Sequence, residues 1–145
     1  MRQLVCASLV LCCASSAQAQ SLDIKPGLWE KTLQVEAGDG TAMHSTTDAC
    51  ITAERLDTKK TLQKLQQSRA CKVTRQEASP KRLAFTLQCK SMTAETIIEV
   101  RSPELVVVTA TTRQEGAAVS TSSEEWRFVK ADCAGVRPPP ATPAR

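Results

Sequence analysis

Residues 71 to 130 keep returning to a two-residue period. Leu83, Phe85, Leu87 and Cys89 alternate with Ala84, Thr86, Gln88 and Lys90. Successive side chains of a strand point to opposite faces, so such a run is a strand with one face buried and one wetted. Residues 26–37 repeat the pattern, with Trp29, Leu33, Val35 and Ala37 on one face and Glu30, Thr32, Gln34 and Glu36 on the other. Gly38, Asp39 and Gly40 supply a turn, and a partner strand follows from Thr41 to Cys50. Beyond residue 71 the alternation predicts a meander. Strands run over Cys71–Glu77, Leu83–Lys90, Thr93–Arg101, Leu105–Arg113 and Val119–Lys130, with turns at Ser79-Pro80-Lys81 and Ser102-Pro103-Glu104. Val106, Val107 and Val108 are apolar on both faces, which marks a strand that is central or covered. Trp126 and Phe128 share one face of the last strand.

A single helical segment interrupts this pattern. Thr52 is placed to cap a first turn and Asp57 a second piece running to Ser68. In that piece Thr58, Thr61, Leu62 and Leu65 share a face, while Lys59, Lys60, Lys64 and Gln67 point away. Leu56 does not continue the stripe, so the helix is expected to be broken. The fold class is therefore mainly β, of the α+β kind. We expect an antiparallel meander of six or seven strands in a curved sheet, with one broken helix after the second strand.

The chain ends are of a different kind. Arg2, the apolar run Leu4–Cys13 and the small-x-small site Ala17-Gln18-Ala19 have the three parts of a secretory signal, predicting cleavage after Ala19. Lipoprotein anchoring is disfavoured, because Leu11 and Cys12 stand where acylation of Cys12 or Cys13 wants a small residue. No stretch approaches the roughly 20 apolar residues of a membrane-spanning helix. Residues 134–145 carry four of the seven prolines and read as a disordered tail. This leaves residues 20–133 as one domain.

Removing the leader takes the 19 basic residues to 18 against 15 acidic, and the seven cysteines to four: Cys50, Cys71, Cys89 and Cys133. An even number in a small exported domain is the pattern of disulfides in an oxidising compartment, here the periplasm. A metal site is disfavoured, since there is no C-x-x-C and His44 is the only histidine. Four cysteines allow three connectivities. A hairpin turning about Pro80 sets Cys71 and Cys89 equally far from the turn and hence opposite each other, at a separation a disulfide spans. That pairing leaves Cys50 for Cys133. Loop entropy gives about 3 kcal/mol for the short loop and somewhat over 4 for the long one, a large share for a domain with two Trp, two Phe and no Tyr.

Several of these residues form a recognisable series. Lys25-Pro26-Gly27-Leu28-Trp29-Glu30 follows the leader, Cys50-Ile51-Thr52-Ala53-Glu54 opens the helix, Cys71-Lys72-Val73 opens a strand, another strand ends in Cys89, and Asp132-Cys133 closes the domain. The series resembles a family of small exported proteins of Gram-negative bacteria catalogued as domain of unknown function 3617. The resemblance covers residues 24–133 and leaves the Pro-rich tail outside. It implies a periplasmic, disulfide-bonded β domain and carries no activity, cofactor or catalytic residue.

The residues themselves point away from catalysis. His44 has Ser45 and Asp48 nearby, but a triad is a matter of geometry and not of sequence proximity. Glu124 and Glu125 diverge on a strand, and Glu95 and Glu99 read as strand surface beside Ile97. Lys72 and Lys90 adjoin Cys71 and Cys89 but fall on the opposite face, which favours structural over redox cysteines. The scarcity of aromatics argues against stacking on single-stranded nucleic acid. One feature favours binding. Residues 53–72 hold Arg55, Lys59, Lys60, Lys64, Arg69 and Lys72 against Glu54 and Asp57, a local charge of +4 that suits an anionic partner such as a lipid or an envelope protein. The expectation is a non-catalytic binding or envelope-maintenance module for a hydrophobic or anionic ligand or a partner protein, with no cofactor. A small enzyme using carboxylates or His44 is the alternative.

Overall fold

The computed structural model describes residues 21–67, 70–114, 120–134 and 136. The expected leader, Arg69 and most of the Pro-rich tail lie outside the described residues. The chain forms seven strands: β1 (Gly27–Glu36), β2 (Ala42–Ile51), β3 (Cys71–Ser79), β4 (Arg82–Cys89), β5 (Met92–Ser102), β6 (Leu105–Gln114) and β7 (Ser120–Lys130). All pairings are antiparallel, in the order β2-β1-β7-β6-β5-β4-β3. The meander β3 to β7 is continued by β1 and β2, because β1 pairs with β7 across the sequence. β2 and β3 are left as the two edges, and the helical segment connects them.

That segment is broken where Leu56 leaves the stripe. A single 3-10 turn, Ala53–Leu56, precedes α1 (Thr58–Gln66). Asp57 caps α1 as expected, its side chain accepting from the Lys60 N–H at 3.0 Å. Thr52 does not cap with its side chain; only its carbonyl accepts, from the Arg55 N–H. A 3-10 turn has too few free donors to reward a capping hydroxyl as an α-helix does.

One sheet face carries the core, and its register shows why. Trp29, Phe128, Trp126, Val106, Val100, Ile98 and Leu83 lie on one face through successive cross-strand pairs. Side chains from all seven strands gather with Leu22, Ile24, Leu56 and Leu62 in one cluster. A flat sheet of this width would spread its outer strands over some 29 Å at about 4.8 Å per strand, so the shared cluster requires the sheet to curl around that face. The curve stays open between β2 and β3, and α1 packs against β3.

One end of this bowl is closed by the segment before β1. The Leu22 N–H donates to the Leu56 carbonyl, Asp23 to Pro80 and Lys25 to Pro103. The segment thus runs beneath two hairpin turns and buries Leu22 and Ile24 under them. Trp29, fully buried, donates from Nε1 to the Lys25 carbonyl at 3.0 Å and stands edge-on to Phe128. Lys25 in turn pairs with Glu104 and lies over the Phe128 ring.

Both disulfides are present with the pairing the hairpin arithmetic favours. Cys71–Cys89 joins directly opposed residues of β3 and β4, and Cys50–Cys133 ties the end of β2 to the chain beyond β7.

Candidate binding site on the concave face

The concave face changes character along its length. At the closed end Trp29, Leu83 and Val106 are completely or almost completely buried. Towards the other end the inward side chains are only half-buried, Leu33 and Val35 of β1 remaining apolar while Ala110 and Thr112 of β6 and Ser122 of β7 are small or polar. On β2 the inward residues Met43, Ser45 and Thr47 are exposed. Trp29 and Phe128 pack at the closed end, whereas Trp126 and Phe85 are half-buried and border the open half.

Lys31 sits where the two halves meet. It follows Trp29 on the inward phase of β1 and is paired with Trp126 of β7, its Nζ 3.6 Å from the ring centroid. Glu124, two residues before Trp126 on the same inward phase, is paired with Leu33. Burial lowers the pKa of Lys31 from its ordinary 10.5; Glu124 pulls it back up, and the Arg55 guanidinium lowers it further. A cation held over an indole face gains on the order of 1 kcal/mol, more when desolvated. The indole Nε1–H of Trp126 is buried and has no acceptor among the described residues. The Lys31 ammonium and the unpartnered indole N–H of Trp126 are thus neighbours on the concave face, with Glu124 at the next inward position of β7.

The basic residues of the helical segment do not form one surface around this point. Arg55 faces the sheet, donating to the Cys50 carbonyl and acting on Lys31. Lys59, Lys60, Lys64 and Lys72 are exposed and have no carboxylate partner among the described residues; Lys60 and Lys64 stand on the side of α1 away from the buried Leu62. Arg69 lies outside the described residues.

The other titratable groups are spread apart. Alternation puts His44 and Asp48 on the convex face and Ser45 on the concave one, so the three do not converge. Glu95 and Glu99 share the convex face of β5 about 13 Å apart, and Glu99 is held by Arg82 at 3.2 Å and Arg101 at 2.6 Å. A shallow convex groove of about 420 Å³ runs beside them, lined by Arg75, Glu77, Arg82 and Glu95 among others. Glu124 and Glu125 diverge as expected, but Glu124 turns to the core face and Glu125 pairs outside with Arg127. No group of three His, Cys, Asp or Glu gathers as a metal site among the described residues.

Sequence reasoning missed Lys31 and the inward turn of Glu124. The signal was available: both sit in phase with the apolar residues of their strands.

No curated protein matches the chain. Among solved structures it is similar to the S-type phycobiliprotein lyase CPES from Guillardia theta, at 9% identity over 72% of this chain and 88% of that one, with a TM-score of 0.42. The model of the protein family of unknown function DUF3617 matches residues 24–133, the span from Ile24 beneath the hairpin turns to the last disulfide cysteine, and the chain belongs to that family.

Proposed function

We propose that the protein is an exported, non-catalytic binding module whose concave face takes an amphipathic anion. The acid group of the ligand lies on Lys31 and the apolar body extends along Trp126, Leu33 and Val35 towards the open end. The observation that carries this reading is Lys31 itself. Burial and Arg55 act against the charge of this half-buried ammonium, and Glu124 only partly offsets them. An anion arriving there removes that penalty, and it offers the Trp126 Nε1–H the acceptor that the protein does not supply. The two disulfides and the signal-like leader support export to the periplasm. The lysines of α1 would draw an anion or an anionic surface towards the gap between β2 and β3.

Dodecanoate is a suitable probe, read by tryptophan fluorescence, with dodecanol as the uncharged control. We expect saturable binding of the acid, weaker binding of the alcohol, and a loss of about tenfold or more on Lys31→Gln. Failure of the wild type to bind, or equal binding by the variant, would reject the proposed site. Native mass spectrometry of protein purified unreduced from a periplasm tests the same reading without choosing a ligand. It predicts two disulfides, a chain starting at Gln20 and an acidic small molecule released on denaturation.

A further inference from the structure

The two edges of the sheet are treated very differently. β3 carries Lys72 and Arg75, has a register shift between Val73 and Arg75, and is packed by α1. Charge, bulge and cover are the devices that keep an edge strand from pairing with another chain. From Ala42 to Asp48, β2 has neither bulge nor cover: Asp48 is the single acidic residue, there is no Lys, Arg or Pro, and the register with β1 is regular throughout.

The hairpin determines which main-chain groups this edge leaves open. The Ala37 N–H donates to the Thr41 carbonyl, making 37 and 41 a closely bonded pair. Closely bonded and wide pairs alternate in an antiparallel ladder. Through the unbroken register, Met43, Ser45, Thr47 and Ala49 therefore bond to β1, while Ala42, His44, Thr46, Asp48 and Cys50 turn their N–H and C=O groups to the free edge. The Cys50 carbonyl agrees with this phase, since it accepts from Arg55 outside the sheet at 3.4 Å. Arg55 thus covers the edge at Cys50 and leaves it open from Ala42 to Asp48.

We propose that β2 pairs antiparallel with β2 of a second copy, about a two-fold axis at Thr46. His44 and Asp48 stand equally far from Thr46, both on the convex face and both exposed. In this register His44 of each copy lies opposite Asp48 of the other, so the pair forms twice. Moving the axis to His44 or to Asp48 sets like residues against each other, and moving it to Ser45 or Thr47 leaves both groups facing other residues. On the concave side, Met43, 65% exposed in the single copy, falls beside Ala49 of the second. The edge is thus complementary to itself in main-chain hydrogen bonding, in the imidazole–carboxylate pairing of His44 with Asp48, and in apolar contact.

Sedimentation velocity on the oxidised protein, across concentrations up to about 1 mM, tests this. A dimer is expected whose dissociation constant rises about tenfold with His44→Asp, which sets Asp against Asp at two places. The exchange His44→Asp with Asp48→Lys should restore it to near the wild-type value, because a cation then faces each carboxylate. Thr46→Pro removes an N–H that faces the free edge and not β1, so it should give a folded monomer by circular dichroism. A wild type that stays monomeric at every concentration overturns the proposal. So does a dimer that both Thr46→Pro and His44→Asp leave unchanged.

Discussion

Gly27 opens β1 at a φ of +145°, where a Cβ would lie 2.3 Å from the Lys130 carbonyl oxygen and 2.9 Å from Phe128 Cε2. Neither a backbone oxygen nor a ring packed on Trp29 can yield cheaply. Gly27→Ala should therefore destabilise the protein by about 2–3 kcal/mol, and an unchanged urea midpoint would contradict this account of the glycine. Lys31 gives the opposite expectation. Its pKa is lowered in the folded protein, mainly by burial, whereas the unfolded chain keeps the ordinary 10.5. The unfolded state thus holds its proton to higher pH, and stability grows as pH climbs from the folded pKa towards 10.5. Lys31→Met should raise the melting temperature at pH 7 by roughly 2–4 °C, a small gain because the ammonium is partly solvated. It should also flatten the rise in stability above neutral pH; thermal melts from pH 7 to 10 check both. Alternation alone puts Lys31 in phase with Trp29, Leu33 and Val35. Its charge makes it read as a gap in the apolar stripe, and only the packed ring of Trp126 shows what it does there.

Strands and turns were largely legible, because their period and their Gly, Pro and Asp residues act within a few positions of themselves. The break in the helix followed from Leu56 in the same way. The β3–β4 hairpin is more instructive. Ser79 pairs with Arg82, so the turn is centred between Pro80 and Lys81, and an unbroken ladder would set Cys71 against Lys90. Thr74 is skipped in the pairing, and this one-residue shift brings Cys71 back to Cys89. Counting from Pro80 reached the right partner for want of both details. Deleting Thr74 leaves the same partners on either side, so the variant should still form Cys71–Cys89 and retain close to wild-type stability. Peptide mapping of the unreduced variant checks the first point, and a scrambled or free Cys71 would refute it.

At the scale of the molecule, the disulfides differ in reach: 18 residues for Cys71–Cys89 and 83 for Cys50–Cys133. Loop entropy predicts that Cys50→Ala with Cys133→Ala costs about 1.4 kcal/mol more than Cys71→Ala with Cys89→Ala; paired urea titrations measure the difference. The long bridge also fastens β2 beside the end of β7, with β1 between them. The sequence by itself determined the strands, most of their inward faces and the Asp57 cap, since each follows from side-chain period or from groups close together along the chain. Only the tertiary structure decided that β1 joins β7. That contact forms by burying Trp29 against Phe128, 99 positions away, and no local period records it. From it follow the curl of the sheet, the placing of Lys31 over Trp126, and the choice of β2 and β3 as the strands left with free edges.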